Sequence, residues 1–463
     1  MQKENLQHNG KKQNDGSRQQ NENKMGVMPV PKLVITMSFP IMVSMLVQSL
    51  YNIVDSIFVA RISEDALTAT SITYSAQMLQ IAAAVGTGVG VNALISRCLG
   101  AKQFDKANEA ATTGLLLTVL SSLFFVLWGI FGTEAFVRQF STGETITRLG
   151  TEYLQICQIF STGLFLGTLT QRLLQATGRT FFSMLAQMAG AVVNIILDPV
   201  MIFGMFGCPE MGIAGAAIAT VIGQWTAAVI GLILNYVQNK EIHFVFRHFR
   251  LHKESVLAIY RVGAPTILTQ AFGSIMIAAM NSILIMFSTT AVAFFGVYYK
   301  LQNFLFMPMN GLGQGSLPIV GYNYGAGNRA RLKETCRVAL TTGVGIAVVG
   351  MLIFMIFPRQ LLLMFSAGEA MIQIGVPALR IICVSCIPAS ATMIIGYVIS
   401  GLGNGLVNMI GTALRQLILL VPLAWLFGTL GGLDMVWFAF WISEIAAVIF
   451  AVVCLKKTMK KIG

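Results

Sequence analysis

Apolar residues in this chain gather into long runs, with most charged residues in the short gaps between them. About 20 consecutive apolar residues suffice to carry a helix across the hydrocarbon of a bilayer. Such runs read at roughly 33–60, 71–97, 108–132, 150–176, 181–206, 213–236, 258–287, 291–317, 333–357, 374–401, 406–428 and 433–455, which predicts twelve membrane spans. A membrane barrel would instead alternate apolar and polar positions over short segments, and these continuous Leu, Ile, Val and Met runs exclude it. Composition agrees, with 55% of 463 residues hydrophobic, 11% charged and a mean hydropathy of +0.73. That is too apolar for a soluble globule of this size, so the expected class is an all-α polytopic membrane protein.

Against this background a few polar side chains stand out. Met188 to Phe203 reads MAGAVVNIILDPVMIF, in which Asn194 and Asp198 are the only polar residues. Being four apart, they share one helix face. An aspartate at the centre of a membrane helix costs about 2.5–3.5 kcal/mol on insertion scales, so a proton, a cation or a buried partner is expected to compensate it. The other reading, a side chain snorkelling from a helix end, has against it the apolar residues on both sides and Pro199 directly after. In span one, Gln48, Tyr51, Asn52 and Asp55 form a polar stripe, with Asp55 either a second buried acid or an end-of-helix residue just before Arg61. Glu444 in the last span is the remaining intramembrane acid, lining a cavity or closing a helix. Pro40 removes a backbone hydrogen bond from span one and predicts a bend there.

Lys and Arg resist translocation in short loops, and here they fall on alternate loops. Lys102 and Lys106, Arg179, Lys240 to Lys253, Arg329 to Lys333 and the tail Lys456 to Lys461 share one side, which predicts cytoplasmic termini. The formal charge of +12 then needs no nucleic acid, because cytoplasmic loops facing anionic lipid account for it. Residues 1–30, rich in Gln, Asn and Lys at their start, read as a disordered tail without the apolar core of a signal peptide. Of seven cysteines only Cys383 and Cys386 lie close together, inside a span, which favours packing over metal ligation. His243, His248 and His252 share neither a helical face nor a metal-ligand spacing.

The chain also repeats. GTGVGVNALISRCLGAKQFDKANE from Gly86 aligns without a gap with GLGQGSLPIVGYNYGAGNRARLKE from Gly311, an offset of 225 that also pairs Pro40 with Pro265 and Gly178 with Gly403. This is a duplicated six-span unit whose halves share one orientation. The expected division is an amino-terminal lobe at 31–236, a linker at 237–257, a carboxy-terminal lobe at 258–455 and a basic tail at 456–463. The Gly-x-Gly-x-Gly runs lack the Lys-Ser/Thr of a nucleotide loop and predict close helix packing through small residues. The acids are not duplicated: at the offset, Asp55 becomes Met280 and Asp198 becomes Leu423.

Twelve spans in two parallel halves, the Gly-Ala pair after spans two and eight, the VDSIFVARI segment and the NIILDP segment resemble the MATE family of multidrug and toxic compound extrusion transporters, in particular the MepA-like exporters of its DinF-type branch. The resemblance covers nearly all of residues 30–455. It implies two pseudo-symmetric six-helix bundles and a cation or proton site in the amino-terminal lobe. That site maps onto Tyr51 and Asp55 in span one, Asn194 and Asp198 in span five, and Thr220 in span six. Gln48 and Pro40 fall where the family has a substrate-contacting Gln and a helix-one kink. NorM-type relatives carry acids in the carboxy-terminal lobe, whereas here span seven has Gln270 and span ten has no acid. Gln270 and Glu444, with Gln48 and Asn52, are expected to contact cargo.

The function so implied is a secondary-active exporter of amphipathic, often cationic drugs, exchanging them for H⁺ or Na⁺ and needing no other cofactor. It would act as a monomer in the bilayer, with Na⁺ possible only at the Asp55 and Asp198 site. A lipid-linked sugar flippase is the main rival, but only Arg172, Arg380 and Arg415 come close to a span. A membrane enzyme would need a nucleophile or metal constellation, and no His lies in any span. A channel would need a ring of equivalent filter groups, which a one-sided acid pair does not offer.

Overall fold

The computed structural model describes residues 23–140, 143–245, 251–365 and 367–462. The first half contains α1 (Lys24–Val27), α2 (Val30–Ala60), α3 (Glu64–Gly100), α4 (Phe104–Phe131), α5 (Thr133–Phe140), α6 (Glu144–Ile159), α7 (Thr162–Ala176), α8 (Thr180–Phe203) and α9 (Gly212–Gln238). The second contains α10 (Lys253–Leu284), α11 (Thr289–Gly325), α12 (Arg329–Ile356), α13 (Pro358–Leu363), α14 (Glu369–Ile382), α15 (Cys386–Gly401), α16 (Gly405–Ala413), α17 (Leu420–Gly431), α18 (Leu433–Val436) and α19 (Ala439–Ile462). Among the described residues, ten helical stretches are long and apolar enough to cross a membrane. Two of the twelve expected spans take another form. Span four is the end-to-end pair α6 and α7, of 16 and 15 residues. Span eight is α11, unbroken over 37 residues but diluted by Gly, Gln and Asn.

The offset of 225 recurs in the helix bounds. α3 and α11 are each 37 residues long and α4 and α12 each 28, and 64, 100, 104 and 131 map onto 289, 325, 329 and 356. Ser63 and Ser288 cap α3 and α11 alike, each hydroxyl accepting from the backbone N–H three residues on at 3.0 Å. α2 and α10 both run through a proline. In both, the hydroxyl four residues later, Ser44 or Thr269, donates back to the proline carbonyl. Pro40 has no N–H to offer the Thr36 carbonyl, which instead accepts from the Thr180 hydroxyl at the start of α8. α2 is therefore helical from end to end, with the gap left by Pro40 closed by a neighbouring helix.

The glycine runs join the two halves. A Cβ at Gly86 would strike Ile267 and Gly263 of α10, and one at Gly311 would strike Met42 of α2, the symmetry-equivalent contact. At the helix ends, Gly100 lies against the Tyr322 carbonyl and Gly325 against the Arg97 carbonyl, again equivalent positions. Only hydrogen fits at such crossings, so the small residues set how closely the lobes approach. This tight junction lies at the end bearing the basic loops that follow Gly100 and Gly325.

The amino-terminal tail departs from expectation. Residues 1–22 lie outside the described residues, but Asn23 to Met28 is seated between the lobes rather than free up to residue 30. Asn23 donates to the Thr177 carbonyl and to Glu241 at 2.9–3.2 Å. From the other lobe, Asn323 and Arg331 donate to the Met25 carbonyl at 3.2 and 3.1 Å, and Arg331 to that of Met28 at 2.7 Å. Most of these anchors use backbone carbonyls and a single buried side chain, Met25, so composition gives no sign of them. Burial at this seat lifts the Glu241 carboxyl above its ordinary range and lowers the Lys24 ammonium, the latter aided by Arg179. In the linker, His243 and His252 hydrogen-bond to Asn108 and Glu109 of α4, and His248 lies outside the described residues.

Candidate transport site

α2, α8 and α9 bring the amino-lobe polar residues together. Asn194 Nδ2 donates to Asp198 Oδ1 at 3.2 Å and to Thr220 Oγ1 at 3.4 Å, which ties spans five and six. Asp198 is fully buried and Asn194 nearly so. Asp198 Oδ2, Asn194 Oδ1 and Asp55 Oδ1 are buried acceptors without a hydrogen-bond partner. Asp198 lies close enough to Asp55 to feel its charge, and Tyr51 lies near both acids. Among the described residues neither acid forms an ion pair with Lys or Arg. Oxygen acceptors with no donor supplied by the protein suit a proton or a hard cation. Tyr153, Cys157 and Gln77 extend this cluster beside Asp55. The sequence reading missed these three, because a Tyr, a Cys and a Gln in apolar helices carry no spacing signal.

In front of the acids lies a cavity of about 310 Å³ between the lobes. Tyr51, Asn194 and Thr220 form part of its wall, so the acid pair sits one side chain behind it. Gln48 lines it and accepts from Gln187 Nε2 at 2.7 Å, and Gln270 faces it from the carboxy lobe. Two expected cargo contacts stand elsewhere. Asn52 is exposed and outside this cavity, about a quarter-turn from the Gln48, Tyr51 and Asp55 face. Glu444 is buried in the carboxy lobe and accepts from Arg415 Nη1 at 2.8 Å, each side chain 10% exposed. A buried carboxylate needs a charged or hydrogen-bonding partner, and this one finds it inside its own lobe. Arg415 reaches it from a π-helical turn, Leu414–Ile418, in the helix of span eleven. Cys383 and Cys386 are both buried, and Cys386 packs with Phe306, Met309 and Ala389.

Each half of this geometry meets the same known pattern. The profile of the MatE family matches residues 40–200 and again 265–426, one copy per lobe. The chain belongs to the MatE family. Among curated relatives, the multidrug export protein MepA of Staphylococcus aureus is 25% identical over 426 residues, covering 90% of this chain and 91% of that protein. A solved MATE protein in the bent conformation superposes with a TM-score of 0.87 at 25% identity, covering 94% of this chain and 96% of that one. An outward-facing multidrug resistance MATE family transporter of the MOP superfamily gives 0.89 at 24% identity, with 96% and 98% covered, a likeness of fold.

Proposed function

We propose that this MatE-family membrane protein is a secondary-active multidrug exporter. It expels amphipathic small molecules, cationic drugs among them, in exchange for H⁺ or Na⁺ taken at Asp55 and Asp198. It acts as a monomer in the cell membrane with both termini cytoplasmic. The observation that carries this reading is the unpaired acid couple separated from a glutamine-lined cavity only by Asn194, Tyr51 and Thr220. A cation or proton arriving there bonds Asp198, which frees or fixes the Asn194 amide and so alters the cavity wall. The likeness to MepA supports export of several drugs rather than one. A lipid-linked sugar flippase finds less support, since among the described residues Arg172 is the only arginine on this cavity, Arg415 pairs with Glu444, and Arg380 lines a separate surface pocket.

The lobes are in contact at the basic end, which on this reading is the cytoplasmic side. Alternation would then open that junction and close the opposite mouth. The test is efflux of an ethidium-like dye from proteoliposomes under separately imposed pH and Na⁺ gradients. Export driven by one gradient and abolished by Asp198→Asn is expected. Export that proceeds equally with no ion gradient would overturn the reading.

A further inference from the structure

Among the described residues the cavity has one fixed charge, and it is positive. Seven glutamines line it but no described Asp, Glu or Lys, and Arg172 of α7 is the only charged side chain among the described residues of its lining. Arg172 is 8% exposed and forms no ion pair among the described residues. Its Nη1 donates to two neutral amide oxygens, Gln175 Oε1 at 2.9 Å and Gln314 Oε1 at 2.7 Å. A guanidinium has five N–H donors arranged for a planar bidentate acceptor, and a buried one without an anion is held at a penalty.

The repeat makes the asymmetry plain. Arg172 packs over Gly88, and its counterpart at the offset of 225 is Tyr397, which packs over Gly313. One lobe therefore presents a cation where the other presents a phenol, with Gln314 between them. Gln314 belongs to α11, so the bond from Arg172 crosses from one lobe to the other. At the equivalent site of the other lobe an uncharged ring fills the same place over a glycine, so the repeat architecture accommodates this position without a charge.

We propose that Arg172 is a subsite for an anionic group of the cargo, so that the cavity favours amphiphiles bearing a carboxylate, and above all zwitterions, over their uncharged-ended analogues. The carboxylate displaces the Gln314 amide and takes up the guanidinium in two parallel hydrogen bonds. Because the displaced bond is the one between lobes, occupation of the subsite also loosens the junction at mid-cavity. A basic end of the same cargo is left facing the amide oxygens and Tyr51, on the side of the amino-lobe acids.

This inference rests on the exporter reading for its cargo, yet binding can be measured without transport. The probes are a rhodamine dye with a free benzoate and the methyl ester of the same dye. Their affinity for the full-length detergent-purified protein is read by fluorescence anisotropy, and their export by proteoliposome efflux. Wild type is expected to bind the free acid about tenfold more tightly than the ester, the size of one lost hydrogen bond to a charged group. Arg172→Gln should erase that preference, and Arg172→Lys should keep part of it. Equal binding of acid and ester by wild type would overturn the subsite, whatever the variants do, and so would a preference that survives Arg172→Gln. A binding preference without export under any gradient would instead sink the exporter reading and leave the subsite standing.

Discussion

The two lobes bury acids in opposite ways. In the carboxy lobe Glu444 has its own counter-ion, Arg415, at 2.8 Å within the same bundle. In the amino lobe Asp55 and Asp198 have none, and three oxygens of the cluster are left without a donor. The positions also exclude one another across the repeat. Where the amino lobe has Asp55 and Asp198, the carboxy lobe has Met280, fully buried among Leu284, Tyr298 and Phe440, with Leu423 packed against the same cluster. Where the carboxy lobe has Arg415 and Glu444, the amino lobe has Gly190 and the buried Ala219. A duplicated fold thus carries a closed ion pair on one side and an open acid site on the other. A self-neutralised pair holds its helices together, whereas unpaired buried acids leave their charge to be neutralised by a proton or a cation.

The largest expected effect is on coupling. Asp198→Asn keeps shape and polarity but removes the carboxylate, so gradient-driven dye efflux should fall to background while the protein inserts and purifies normally. Efflux at the wild-type rate would remove Asp198 from the ion site. In the other lobe the corresponding damage is to stability. Arg415→Met leaves Glu444 buried and unpaired, which should lower unfolding stability by about 3–5 kcal/mol, read as thermal denaturation in detergent. Adding Glu444→Met should return most of it, and failure of that rescue would mean that the pair does more than neutralise itself.

A sharper contrast compares Asp55→Asn with Glu444→Gln across a pH and Na⁺ series. The first should abolish ion dependence for every drug, and the second should leave it intact with at most a modest change in rate. The reverse outcome would move the ion site to the carboxy lobe. Gln270→Ala, on the cavity wall of that lobe, should shift the relative export of unlike drugs by a few-fold, with the ion dependence unchanged, as efflux of a drug panel would record. The smallest effect should follow Arg331→Ala, which releases the Asn23 to Met28 seat spanning both lobes. Faster tryptic cleavage after Lys24, with little change in transport, is the expected result.

Much of this was written in local pattern. Apolar runs of bilayer length identified most of the spans, because a helix face turned to hydrocarbon must be apolar whatever its neighbours. The offset of 225 gave the duplicated bundles, and Asp198 was legible because few costs are as local as a carboxylate in an apolar run. The partnerships were not legible. Glu444 looked like a cargo contact until Arg415, in another helix, was found against it. Arg172 was one of three arginines near a span until folding set it against Gln314, 142 residues away. Asn52 belonged to a sequence stripe that the helix divides between a cavity face and an exposed face. The tail to residue 30 lacked the apolar core of a signal peptide and read as disordered, yet its last residues are held by backbone carbonyls that composition does not record. What the chain fixed by itself is whatever the solvent or the bilayer imposes residue by residue. What only the tertiary structure decided is which buried charge finds a partner, since that depends on side chains brought together from distant parts of the chain.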